Sequence, residues 1–183
     1  MTDPSTASPN APPAPRHGLS SVLRALAPWI LVAVGGLWML SNHRGREPMP
    51  SGELVPALSV PLADGGTFDL AAHRGKPVLL TFWASWCPAC RAEAPAIQAA
   101  HEQLTTAGGT AIGLAVDRRS LPAAERLGMR FPQALVAQSD LDRFGVELLP
   151  TTILVDPDGN VAASFVGEVR SSTLDEVLAP YVD

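Results

Sequence analysis

Cys87 and Cys90 are the only two cysteines of the 183-residue chain, and they lie three positions apart in the run Trp86-Cys87-Pro88-Ala89-Cys90. Two thiols at that spacing can close a small disulfide ring and reopen it, which is the chemistry of thiol-disulfide exchange. So short a loop restricts little of the unfolded chain, so the pair reads as a reagent before it reads as a staple. A structural disulfide and half of a metal site remain open to a Cys-x-x-Cys taken alone. The four histidines, His17, His43, His73 and His101, are scattered and do not complete the four clustered ligands of a structural zinc site. Arg91, not histidine, follows the second cysteine, so no c-type haem attachment is spelled out.

Elements on either side of the pair decide between these. Residues 78–83, Val-Leu-Leu-Thr-Phe-Trp, form an almost continuous apolar run of the kind found in strands covered on both faces. A helix is expected to begin just after Cys87 and to end near Gly108-Gly109, with Ala94, Ile97, His101 and Leu104 at helical spacing and a kink at Pro95. Cys87 then stands where strand gives way to helix, so first-turn N–H groups and the helix dipole favour its thiolate. It is the expected nucleophile. Pro88 fits the first helical position, where its missing N–H costs nothing. Cys90, one turn on, is the expected resolving thiol and the more buried of the two. Strand before and helix after is the context that redox chemistry requires and a metal knuckle does not.

The rest of the body supplies a frame. Two short apolar runs, at 58–62 and 68–70, flank Asp64-Gly65-Gly66 and predict a small leading hairpin. Further strands are expected at 111–116, 151–155 and 161–166, the last two joined at Asp156-Pro157-Asp158-Gly159, with a short segment at 134–137 between the first two. Helical segments are expected at 122–128, near 140–144 and at 172–181. Strand-helix-strand units followed by a hairpin and a helix imply an α/β fold with a mixed central sheet flanked by helices.

The run from Phe82 to Pro95, Phe-Trp-Ala-Ser-Trp-Cys-Pro-Ala-Cys-Arg-Ala-Glu-Ala-Pro, resembles the active-site segment of the thioredoxin superfamily, in particular its membrane-anchored TlpA/ResA-like branch. The resemblance covers about residues 54–183 and includes the leading hairpin, a central insertion and Leu149-Pro150-Thr151-Thr152. It implies a cis Pro150 beside the cysteines and makes Leu149 and Pro150 candidates for substrate binding, together with Pro88 and Trp86, which flanks the nucleophile. A trans proline that starts a strand is the alternative at 150. Glu93 matches an acidic residue of this branch, three positions after the second cysteine; it is a candidate proton partner of Cys90 or a determinant of partner recognition, although a glutamate early in a helix also simply suits the dipole. Thioredoxins proper, by contrast with what this branch implies, keep a buried aspartate at the position that Thr81 occupies here. Trp83 is assigned to the core near the site, and His101, about four helical turns past Cys87, to the surface or its boundary.

The net charge of −5 is unevenly spread: residues 1–50 carry four arginines against Asp3 and Glu47, which leaves nine basic and sixteen acidic residues in the remainder. Such a body is not a nucleic-acid binder. The expected organisation is a disordered leader at 1–18, a single transmembrane anchor at 19–41, a linker at 42–53 and a thioredoxin-like domain at 54–183. The segment at 25–40 has no charge, and a cleaved signal peptide or a buried helix would be its other readings. Charge does not orient it, since Arg16 and Arg24 precede it and Arg44 and Arg46 follow it. The resemblance implies a body on the periplasmic or extracytoplasmic side of a bacterial cytoplasmic membrane, a membrane electron donor of the thiol-disulfide relay type, and clients such as apocytochrome c or other secreted thiol proteins. No cofactor is expected. Copper binding or copper tolerance is the rival function, since thiolates suit Cu(I), and a thiol peroxidase is a weaker one.

Overall fold

A computed structural model describes residues 49–182. The leader, the anchor and most of the linker assigned above lie outside the described residues. Among the described residues no helix is long and apolar enough to cross a membrane.

A five-stranded mixed sheet organises the body, in the order β5-β4-β3-β6-β7. Its strands are β3 (Val78–Trp83), β4 (Thr110–Ala115), β5 (Gln133–Leu135), β6 (Thr151–Val155) and β7 (Val161–Val166). β3 runs parallel to β4 and antiparallel to β6, and β4 and β5 are parallel. The expected leading hairpin is present as a separate pair, β1 (Ser59–Pro61) and β2 (Thr67–Asp69). Gly65 supplies a left-handed φ of 94° in its turn, and a short 3-10 turn, Leu70–His73, follows β2.

All six residues of β3 are buried, which is why its sequence carries no polar alternation. Leu79 and Trp83 face one core with Ala94, Ile97 and Leu104 of helix α1 (Pro88–Thr106) and Leu174 and Leu178 of the C-terminal helix, while Val78, Leu80 and Phe82 face the other with Val60, Phe68 and Phe144. By this parity Thr81 lies on the α1 side. The central insertion between β4 and β6 carries two short helices, α2 (Ala123–Arg126) and α3 (Gln138–Arg143), on either side of β5, and the chain closes with α4 (Ser171–Val182).

Both sheet edges are covered. The hairpin closes the β5 side through a bridge between Leu62 and Ala134 and a bond from Ala63 N–H to Gln133 O. On the other side Gly52 N–H donates to Val161 O, Val161 N–H to Glu53 O, and Ser164 Oγ to Met49 O. The segment before residue 54 is therefore part of the hydrogen-bonded frame from Met49 onward, and it covers the start of the β7 edge.

Candidate active site

Helix α1 begins where the sequence places it. Cys87 is its N-cap in extended conformation (φ −82°, ψ 115°), Pro88 opens the first turn, and the Cys87 sulfur accepts a bond from Cys90 N–H at 3.1 Å. That N–H is one of the orphan donors of a helix start, aimed at the atom whose negative charge the chemistry requires. Cys87 and Cys90 are joined as a disulfide, their Cα atoms 5.3 Å apart.

The two cysteines are equally covered, each 4% exposed, where Cys90 was expected to be the more buried. Joined to Cys90, Cys87 is part of the same apolar cluster as Ala84, Ala94 and Ile97. Leu149-Pro150 is a cis peptide. Pro150 O accepts from Gly167 N–H at 2.8 Å, and Leu148 O from Thr151 Oγ at 2.8 Å, so the loop is pinned both from the residue after β7 and from its own strand.

Trp86 and Leu148 are each 65% exposed, unusual for large apolar side chains. They line a groove of about 340 Å³ whose other walls are the apolar Val116, Leu141, Val146 and Leu149 and the polar Gln138 and Glu147. Trp86 is not loose on that surface. Its indole N–H donates to Asp117 Oδ2 at 3.0 Å, and the same carboxylate accepts from Ser120 Oγ at 2.9 Å and from the N–H groups of Arg119 and Ser120 at 2.8 and 3.1 Å. Burial opposes ionisation of Asp117, but the bonds from Ser120, Trp86 and the two backbone N–H groups outweigh it and hold the carboxyl below its usual range. Ser120 Oγ in turn accepts from Ser85 N–H at 2.8 Å. Asp117→Ala should therefore free the indole, raising KM for a protein disulfide about fivefold, the worth of one such bond, with kcat little changed; steady-state kinetics on a protein disulfide would show it, and an unchanged KM would rule the clamp out.

Trp83 lies in the core, as expected, 2% exposed. Its indole N–H donates to Gln133 Oε1 at 3.1 Å. Gly113 on the neighbouring strand makes room, since a Cβ there would run into the Gln133 amide.

Glu93 is 2% exposed despite its place in the first turns of a helix. Its Oε1 accepts from Thr152 Oγ1 at 2.9 Å, and Thr152 Oγ1 is hydrogen-bonded to Thr81 Oγ1 at 3.3 Å. Oε2 is buried without a partner. Burial pushes the carboxyl up to about 7; the Thr152 bond works the other way, and the charge of Glu168 adds to the rise. A carboxyl that changes protonation near neutrality, on the helix that carries both cysteines, is fitted to exchange a proton with a thiol. Its burial takes it off the docking surface. His101, half-buried, has a structural part not anticipated: Nδ1 accepts from Ala111 N–H at 3.1 Å, and burial lowers its pKa against the opposing charge of Glu102.

Among the described residues no group of three or more His, Cys, Asp or Glu side chains is placed to hold a metal ion. A cavity of about 190 Å³, lined by Leu54, Leu70, Val78 and Val155, opens at the opposite end of β3, away from the cysteines.

A Cys-x-x-Cys pair at the N-terminus of a helix, with a cis-proline entering the strand paired to the one that leads to the cysteines, defines a thioredoxin-fold thiol-disulfide oxidoreductase. The chain belongs to the AhpC/TSA family, whose model matches residues 51–165, and within it to the ResA-type thiol-disulfide oxidoreductases. It is 30% identical over 157 residues to the thiol-disulfide oxidoreductase ResA of Bacillus thuringiensis, a match covering 81% of this chain and 91% of the relative. Among solved structures, it is similar to the thioredoxin domain of a thiol-disulfide oxidoreductase from Bacteroides vulgatus (TM-score 0.65, 27% identity, 74% of this chain and 99% of that one). It is also similar to a secreted thiol-disulfide isomerase from Corynebacterium glutamicum (TM-score 0.64, 27% identity, 70% and 85%).

Proposed function

We propose that this oxidoreductase acts as a reductase of extracytoplasmic protein disulfides, tethered to a bacterial cytoplasmic membrane by residues 19–41. The observation that carries the proposal is the groove walled by Leu148, Leu149 and Trp86, the residue that directly precedes Cys87. An extended client segment can lie there in reach of the Leu149 backbone beside cis-Pro150. The uncharged run at 25–40, the ResA relatives and the likeness to a secreted isomerase of Corynebacterium glutamicum support the location.

In the reduced enzyme the Cys87 thiolate attacks a client disulfide, and the first client sulfur leaves as a thiolate. Cys90 gives its proton to Glu93, and its sulfur then attacks the Cys87 sulfur of the mixed disulfide and releases the second client sulfur. Two electrons pass to the client, now a dithiol, and the enzyme is left as the Cys87–Cys90 disulfide. A membrane dithiol donor must then reduce it. Apocytochrome c, which must present reduced cysteines for haem attachment, is a client of the right chemistry.

The test uses the Cys90→Ser chain expressed in a bacterial host. Trapped mixed disulfides should hold exported proteins, and Cys87, once freed by reductant, should react with a membrane-impermeant maleimide in intact cells. Labelling that appears only after lysis would overturn the proposed location.

A further inference from the structure

Glu93 is held in its buried position from a distance. Thr152 stands 59 residues further along the chain and directly opposite Thr81 in the antiparallel β3–β6 pair. Both strands are buried along their whole length, so the backbone under the two hydroxyls is fixed. Both residues are β-branched, which restricts the direction of each hydroxyl. Thr152 is 0% and Thr81 3% exposed, so no solvent competes for either. A hydroxyl rotates to suit its neighbours; with Glu93 ionised, Thr152 donates to Oε1, and Thr81 holds the Thr152 oxygen in place. One carboxylate oxygen is thereby committed, and the other, Oε2, is left without a partner in a buried site.

We propose that Thr152 is a positioning residue for disulfide exchange: steadied by Thr81 across the strand pair, it binds Oε1 of Glu93 and so leaves Oε2 as the oxygen that takes the proton of Cys90. The proposal rests on the reading of Glu93 as the proton partner. In the resolving step the Cys90 S–H bond breaks and an O–H bond forms at Oε2. The sulfur's electron pair attacks Cys87, and the client thiolate leaves with the electrons of the broken S–S bond.

Few other groups bear on this carboxylate. β3 and β6 present Thr81 and Thr152, which carry no charge, and α1 carries Cys90 three positions before Glu93, at the spacing of one helix face; α4 brings Leu174 and Leu178 to the same core. Glu168 is the charged side chain that acts on Glu93 from a neighbouring segment. It follows Gly167, whose N–H is bonded to Pro150 O, so it stands beside the cis-proline loop.

The resolving step can be isolated in the full-length chain in detergent. A mixed disulfide of Cys87 with a chromogenic aromatic thiol is formed at low pH, the pH is jumped to values from 5 to 9.5, and release of the thiol is timed. The wild-type rate should rise through a step near pH 7. Thr152→Val removes a bond that favours the carboxylate, so the midpoint should move up by about one unit and the rate at pH 7 fall about fivefold, with the plateau above pH 9 unchanged. Thr152→Ser should restore the wild-type profile, and Glu93→Gln should lack the step. Thr152→Ala is the second variant, expected to follow valine. A wild-type profile in both, with the step absent in Glu93→Gln, would overturn the role of Thr152 while sparing that of Glu93. A step retained in Glu93→Gln would overturn both.

Discussion

A Cys87→Ser chain should reduce insulin no faster than the uncatalysed dithiol control, and a Cys90→Ser chain should stop after one attack, held to the client by a bond that gel electrophoresis without reductant will show. The two outcomes differ because the helix start treats the two sulfurs differently. Cys87 is the N-cap and accepts the Cys90 N–H at 3.1 Å, so its thiolate is stabilised and it is the sulfur that initiates. Serine at that position has a hydroxyl that is not ionised at neutral pH and forms no S–S bond, so nothing replaces the lost nucleophile. Serine at 90 keeps the helix, the cap N–H and the nucleophile, and removes only the sulfur that releases the client. Insulin reduction that survives Cys87→Ser would sink the mechanism. Trapping at Cys90 in the Cys87→Ser chain would reverse the two roles.

How much of this was legible in the sequence follows from how local each cause is. Residues 78–83 spell a buried strand, and Cys87-Pro88 spells a helix start, because those signals lie within a few residues. Pro150 and its neighbour Leu149 were named through resemblance, since the spacing of a lone proline does not say what it faces. Glu93 was legible as a candidate, but its burial was not. A glutamate in the first turns of a helix ordinarily points to water, and what draws this one inward is Thr152, on a strand that pairs with β3 only once the fold is made. The Asp117 clamp on Trp86 was missed for the same reason, being 31 residues away. Its one sequence signal was an aspartate just past the end of β4, at the end of the sheet that also carries Trp83 and the cysteines. The equal burial of the two cysteines escaped because helical spacing places two sulfurs on one face without saying how deep each lies.

Replacing Glu93 by glutamine should make the oxidised body more stable at pH 8.5 while leaving it nearly unchanged at pH 4.5, the reverse of what removing a charged hydrogen-bonding residue usually does. In the fold the carboxyl is raised from 4.5 to about 7, chiefly by burial. A raised folded value means that the native state binds the proton more tightly than the unfolded chain. The associated stability is fully present below 4.5, shrinks as the pH rises, and is gone above about 7. That difference corresponds to about 3 kcal/mol. Glutamine has the shape of the protonated acid, keeps an oxygen for the Thr152 hydroxyl, and has no charge to desolvate. The gap between the Glu93→Gln and wild-type unfolding free energies should therefore be near zero at pH 4.5, widen to pH 7 and then stay level. His101 changes stability in the opposite sense, since burial lowers its pKa and acid then favours the unfolded chain; taking the difference between the two proteins cancels it. Guanidinium titrations of a chain starting at Met49, with the disulfide intact, would measure the gap, and a gap independent of pH would show that Glu93 does not hold its proton into the neutral range. If the gap opens as expected, the wild-type protein is carrying a destabilising carboxylate at the pH where it works, which is the cost of keeping a proton acceptor on the helix that bears the cysteine pair.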